Sequence, residues 1–377
     1  MNTNTNTKAY FELVRAGLWG KEVRLSNYEN IDFAEVYRLA EEQSVIGMVA
    51  AGIDHVVDVK VPQAWALQFA GQTIQLEQRN KEMNAYIAGL IDKFRKDNVY
   101  ATLVKGQGVA QCYENPLWRC SGDIDLFLSD ENFQRAKSYL LPLASSVEEE
   151  YVREKHLGLT IDGWVVELHG RLYCGLSSRI ERELDDIYVD TFNGGNVRSW
   201  NNNGVQVFQL GVENDVFYVF THILQHFYKE GVGLRQICDW CRLLYTYRDS
   251  LNYGLLEQRI KSAGLMSEWK AFGALAIEYL GFPKDSMPLL DVRSKKEDVR
   301  WRKKADRIME FILKSGNMGH NRDMSHFSKY SYLIRKCVSM GRRISDLINH
   351  ARIFPLDSLR FFPRIMFNGL RSAIRGE

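Results

Sequence analysis

Between Gly122 and Leu128 the chain reads Gly-Asp-Ile-Asp-Leu-Phe-Leu, and this run restricts the fold more than any other. Side chains alternate between the two faces of a β-strand, so Asp123 and Asp125 share one face while Ile124 and Leu126 share the other. A strand of this pattern needs a hydrophobic layer behind it and something cationic in front. Two carboxylates this close repel each other, which is costly unless a positive charge lies between them.

The surrounding sequence supplies a sheet for that strand. Val99–Val104 reads as a buried strand broken by Gly106 and Gly108, and a short helix is predicted from Gln107 to Tyr113. Ser129 and Asp130 are placed to cap a helix over Glu131–Leu141. His156–Ile161 and Trp164–Leu168 read as strands around Asp162-Gly163, a dipeptide with hairpin-turn chemistry, and Val205–Leu210 reads as one further strand. Helical spacing dominates elsewhere: Asn30–Ala51, a long segment from Pro62 to about Asn98, then Glu213–Tyr228, Leu234–Tyr247, Leu255–Ala263 and Ser267–Tyr279. A charged stretch around Asp291–Lys304 leads into a helix ending near Ser315. The predicted class is α+β, a small mixed β-sheet core with helical N-terminal and C-terminal regions. Its divisions fall at residues 1–98, 99–210, 211–316 and 317–377, with 316–325 read as an irregular linker.

On this frame a third carboxylate is expected from Val165-Val-Glu-Leu-His169, where Glu167 and His169 share a strand face. One or two carboxylates together with substrate phosphates are the usual way of holding Mg²⁺, and a pair of such ions can clamp both oxygens of a phosphoryl displacement. Gly106 and Gly108 sit at a strand-to-helix turn, where backbone N–H groups can approach a phosphate. Lys105 and Arg119 are the nearest cations. An isolated Asp-x-Asp or Gly-x-Gly is commonplace. Their order and spacing together with Glu-x-His carry the reading.

These residues resemble a known family. Gly106/Gly108, Asp123-Ile-Asp125 and Glu167 look like the glycine turn, the D-x-D and the third carboxylate of the polymerase-β-like nucleotidyltransferases. More narrowly, the run from Leu103-Val-Lys-Gly to Val-Glu-Leu-His169 resembles the bacterial "uncharacterised nucleotidyltransferase" family, as do His222-Ile-Leu-Gln-His226 and Leu234-Arg-Gln-Ile-Cys-Asp239. The resemblance implies transfer of a nucleoside monophosphate from a nucleoside triphosphate such as ATP to an acceptor hydroxyl, with release of pyrophosphate. The acceptor is left open among sugar, lipid, peptide and RNA. It implies Mg²⁺, as two ions, on Asp123, Asp125 and Glu167, with Glu167 also helping to deprotonate the acceptor. The nucleotide would be held by Lys105, Gly106, Gly108, Arg119 and His169. Where the superfamily has Gly-Ser or Gly-Gly at the turn, this chain has Gly106-Gln107, so a hydroxyl contact to phosphate is missing.

His222 and His226 lie one helical turn apart, and so do Arg235 and Asp239. For the histidines three readings stand: a wall of the ligand cleft, packing, or a zinc site, the last weakened because Ile223 stands where a metalloprotease helix has Glu. Arg235 and Asp239 read either as part of the same wall or as a local ion pair. Cys238 and Cys241 form a C-x-x-C within an apolar helical pattern and read as packing. The scattered cysteines predict reduced thiols and no disulfide-linked partner.

A net charge of +2 over the 377 residues hides an asymmetry, because 325–377 holds ten Lys/Arg against three acids. Its bulky apolar residues interleaved with arginines fit helices packed on the protein itself, peripheral contact with an anionic membrane, or nucleic acid. The polar N-terminus and the absence of a long apolar run predict a cytoplasmic protein. A competing expectation is a catalytically inactive nucleotide-binding or membrane-associated scaffold of the same fold.

Overall fold

A computed structural model describes residues 4–291, 294–319, 321 and 332–375 of the chain. The strands are β1 (Ala101–Val104), β2 (Ile124–Leu128), β3 (Ser146–Val147), β4 (His156–Ile161), β5 (Trp164–His169), β6 (Val197–Asn202) and β7 (Val205–Leu210). They form one mixed sheet in the order β3-β4-β5-β2-β1-β7-β6. The expected hairpin is present: β4 and β5 pair antiparallel across Asp162 and Gly163, both at positive φ as a tight two-residue turn requires. It returns β5 directly alongside β2, in parallel, with Asp125 opposite Glu167.

Helices cover both faces. Behind the sheet lie α4 (Gln63–Lys96) and α6 (Asp130–Leu140); Met83, Ile87, Ile91, Phe94, Phe133 and Leu140 pack there on Ile124, Leu126, Val166 and Leu168. Ser129 caps α6, its side chain accepting from the Asn132 N–H. In front, α5 (Gly106–Ala110) is shorter than the sequence predicted.

The remaining described helices share a second core. Before the sheet come α1 (Thr5–Trp19), α2 (Phe33–Glu42) and α3 (Ile46–Asp54). Between β5 and β6 stands α7 (Ser178–Phe192), and after β7 follow α8 (Val212–Lys229), α9 (Leu234–Thr246), α10 (Tyr253–Ala263), α11 (Met266–Leu280) and α12 (Lys295–Ser315). Thus α1–α3 pack with the helices that follow the sheet, and α4 joins them through Phe69 while its later turns, Met83 to Phe94, back the sheet. Arg15 and Trp19 of α1 donate to the carbonyls of Tyr279 and Leu280 at the end of α11, which fixes that union. The sequence pattern did not reveal α7 and β6.

Two further helices span Tyr332–Ile353 and Pro355–Arg375. Ile353, Phe354 and Phe361 are buried in the second core, so this pair packs on the protein through one face. Residues 325–331 of the basic tail and half of the expected 316–325 linker lie outside the described residues. Among the described residues no helix is long and apolar enough to cross a membrane.

Candidate active site

The front face of the sheet is apolar at Phe127 and becomes polar toward the start of β2. Asp125 is paired in register with Glu167, so both carboxylates lie side by side on this face. Asp123 just precedes the strand, and ligand oxygens of Asp123, Asp125 and Glu167 all fall within 4.8 Å of one another. These three residues line a cavity of about 1060 Å³ closed on its other side by α8 and α9. That is at the large end of small-molecule sites, which run from about 300 to 1,000 Å³.

The backbone turn at the cavity floor is unusual. Lys105 has φ +56° and ψ −145°, a region costly for any residue with a side chain, and Gly106 follows at φ +39°. A Cβ on Gly106 would stand 3.4 Å from the Asp123 carbonyl. Gly108 is explained by packing: a Cβ there would meet the Gln209 amide at 3.1 Å, and that amide donates to the Gly108 carbonyl. The turn sends the Lys105 ammonium across to Asp125, 2.7 Å away, and to 3.4 Å from His222 Nε2. Gln107 points away from the cavity, donating to Asn80 Oδ1 at 2.7 Å and Ser121 Oγ at 2.9 Å. It therefore ties α4 to the loop before Asp123.

Charges in the cavity are strongly coupled. Repulsion from Asp125, followed by burial, raises the Asp123 pKa against the pull of Lys105. Burial pushes Glu167 up, but hydrogen bonds from His156 and His169 outweigh it and hold this carboxyl well below the usual range. Burial depresses Lys105 and His169, yet their acidic neighbours raise both above their ordinary values. His222 goes the other way: burial, Lys105 and His226 lower it well below the usual histidine value.

His169 reaches both neighbouring acids, with Nε2 2.9 Å from Asp125 Oδ1 and 3.4 Å from Glu167 Oε2. On the opposite wall the Nε2 atoms of His222 and His226 lie 3.2 Å apart. His226 Nδ1 is 3.2 Å from Glu230, which holds this pair as part of the cleft wall.

Two local readings are corrected. Arg235 does not pair with Asp239; the partner of Asp239 is Arg119, bonded through Nε and Nη2 at 2.7 Å each, with the Tyr113 hydroxyl on the same carboxylate at 2.8 Å. Arg119 gives its remaining Nη1 to the Cys120 carbonyl and Ser121 Oγ. Its fork is therefore occupied within the protein, where a phosphate contact was expected. Arg235 donates from Nη1 to the Cys120 carbonyl, and its Nε is buried with no partner. Burial and the neighbouring Arg119 lower its pKa against the pull of Asp239 and Asp123, and Arg235 lines the cavity with no ion pair among the described residues. Cys238 and Cys241 are buried in α9 with free thiols, as the packing reading expected.

His156 was missed. It faces His169 across the hairpin, and its Nε2 stands 3.2 Å from Glu167 Oε2. The signal was available: the pairing of Ile161 with Trp164 at the turn, counted back along both strands, puts His156 opposite His169.

A glycine turn, paired carboxylates on adjacent strands and a helical wall bearing Arg235 together line one cleft on a mixed-sheet fold, with carboxylate oxygens placed where a metal ion could be held. Residues 29–281 match the family described as uncharacterised nucleotidyltransferase, and the chain belongs to that family. Among solved structures it is similar to an antigenic nucleotidyltransferase-like protein from Paracoccidioides brasiliensis, with 14% identity over 48% of this chain and 91% of that one and a TM-score of 0.30. No curated protein matches the chain.

Proposed function

We propose that this protein is a Mg²⁺-dependent nucleotidyltransferase of the polymerase-β type, moving a nucleoside monophosphate from a triphosphate to an acceptor hydroxyl. The observation that carries the reading is the convergence of Asp123, Asp125 and Glu167 within ligand reach of one another at the floor of the cavity. The donor set fits Mg²⁺: three carboxylates, with Asp123 raised by the repulsion that a cation would relieve. Bound there, the ions would neutralise charge developing on the transferred phosphoryl group.

The chain's own groups divide the remaining work. Arg235, on the opposite wall with its Nε unbonded and no ion pair among the described residues, supports a role in holding the triphosphate, with the backbone at Gly106 and the Lys105 ammonium beside it. His222 and His226 shape the nucleotide side. The acceptor oxygen attacks the α-phosphorus, the bond to the bridging oxygen breaks, pyrophosphate leaves and the hydroxyl proton passes to solvent. Glu167, held well below the usual carboxylate range, suits a ligand more than a base. The test is release of pyrophosphate, with transfer of α-phosphate label from each nucleoside triphosphate into fractionated cytoplasmic sugars, lipids, peptides and RNA. Binding of nucleotide with no transfer to any fraction would favour an inactive nucleotide-binding protein instead.

A second reading concerns the C-terminal helix from Pro355 to Arg375. Leu356, Leu359 and Phe367 lie 79%, 68% and 64% exposed, which supports peripheral contact with an anionic membrane beside the packed face. Vesicle flotation with phosphatidylserine, compared between wild type and Leu356→Ser/Leu359→Ser/Phe367→Ser, tests it. Equal flotation of the two proteins would remove this reading.

A further inference from the structure

We propose that His156, Glu167 and His169 form a second cation site, suited to a borderline transition ion such as Zn²⁺ or Co²⁺, beside the carboxylate site. The three side chains come from two adjacent strands. His156 and His169 are direct partners across the β4–β5 hairpin, and the Glu148 side chain enters the room left by Gly158, opposite Glu167. Both imidazoles turn Nε2 toward the same atom, Glu167 Oε2, at 3.2 Å and 3.4 Å. All three ligand atoms fall within 4.8 Å of one another.

Those separations suit a shared ion as well as they suit hydrogen bonds. The His156 contact stands at the long end of the N–H···O range and the His169 contact just beyond it, while His169 Nε2 makes its shorter contact to Asp125. Ligands on bonds of about 2.1 Å at a tetrahedral angle lie about 3.4 Å apart, which is the spacing seen here. The donor types point the same way. Two imidazoles and one carboxylate favour Zn²⁺ and its neighbours, whereas Mg²⁺ takes oxygen. The cavity side of the cluster is open, leaving further coordination positions for water or a ligand oxygen.

Asp125, 2.9 Å from His169 Nε2, is positioned to bridge this site to the carboxylate site, and Glu167 belongs to both. The proposed centre is thus heterometallic, with an oxygen-rich half for Mg²⁺ and an imidazole half for the softer ion. The proposal rests on the nucleotidyltransferase reading only for the role of its Mg²⁺ half; the imidazole half stands on its own geometry.

The test is Co²⁺ titration of chelator-treated full-length protein without nucleotide, followed by calorimetry and by visible absorption. Wild type should take up one Co²⁺ per chain with strong low-coordinate absorption, displaced by Zn²⁺ and not by equal Mg²⁺. His156→Ala and His156→Gln, each checked for native circular dichroism, should bind Co²⁺ at least about tenfold more weakly. Asp123→Asn should keep the Co²⁺ spectrum whatever becomes of Mg²⁺–nucleotide binding, which separates this proposal from the functional one. Co²⁺ affinity equal in wild type and both His156 variants, or no Co²⁺ uptake preferred over Mg²⁺, would overturn it.

Discussion

Asp125 and Glu167 occupy directly paired positions on parallel strands β2 and β5, so the sheet itself presents two carboxylates side by side. Lys105 and His169 both rest on Asp125, at 2.7 Å and 2.9 Å, and offset part of the resulting repulsion. Asp123 makes no ion pair among the described residues, and repulsion from Asp125 together with burial raises its pKa against the pull of Lys105.

The first prediction follows from that imbalance. Asp123→Asn should raise the melting temperature of the metal-free protein, because it removes a charge that Asp125 and burial both disfavour. It should also remove the stabilisation that Mg²⁺ gives to wild type. Thermal denaturation with and without Mg²⁺ checks both; a metal-free variant less stable than wild type would speak against the repulsion.

Arg119 and Asp239 make the opposite case, a buried pair whose loss should unfold the protein more readily. Arg119 is 4% exposed and its ionic partner lies 2.7 Å away. Asp239→Ala strands that guanidinium and the Tyr113 hydroxyl, and the expected cost is about 3–5 kcal/mol. Urea denaturation measures it, and a loss under about 1 kcal/mol would show that the pair is not structural.

Arg235 should behave differently from Arg119. With no ion pair among the described residues to break, Arg235→Ala should change stability by less than about 1 kcal/mol while weakening nucleoside triphosphate binding by about 1.5–3 kcal/mol, the worth of a hydrogen bond to a charged group. Nucleoside binding should not change. Calorimetric titration of both ligands decides, and equal losses for triphosphate and nucleoside would place Arg235 away from the phosphates.

A pH dependence is expected from a residue outside the cleft lining. Glu268 on α11 is fully buried, accepts from the Tyr228 hydroxyl at 3.1 Å, and is pushed up to about 8 by burial and the Asp357 carboxylate, with Lys304 opposing. The folded protein therefore holds a proton here that the unfolded chain releases near pH 4.5. Its contribution is complete below the unfolded pKa and falls as pH rises through about 8. Glu268→Gln, which keeps the neutral shape, should flatten the stability profile between pH 5 and 8. An unchanged slope in urea melts across that range would contradict the assignment.

How far the sequence revealed this site depends on distance along the chain. Asp123, Asp125 and Glu167 were legible because strand alternation alone puts them on a face, and the Asp162-Gly163 turn brings the second strand back. The mixed sheet followed from the same signals. Arg119 and Asp239 meet across 120 positions, and no periodicity couples them, so the nearby Arg235 was the partner that local spacing offered. Likewise Gln107 was read as a departure from a phosphate turn, whereas its side chain reaches back to Asn80 of α4. Helix α7 and strand β6 fall in a stretch whose polar residues blur both periods.

The most direct test of the central claim is calorimetric titration of each nucleoside triphosphate into wild type and the Asp123→Asn/Asp125→Asn variant, with and without Mg²⁺. The account predicts binding by wild type that requires Mg²⁺ and is lost in the variant. Equal nucleotide binding by both proteins, or binding by wild type that ignores Mg²⁺, would contradict it.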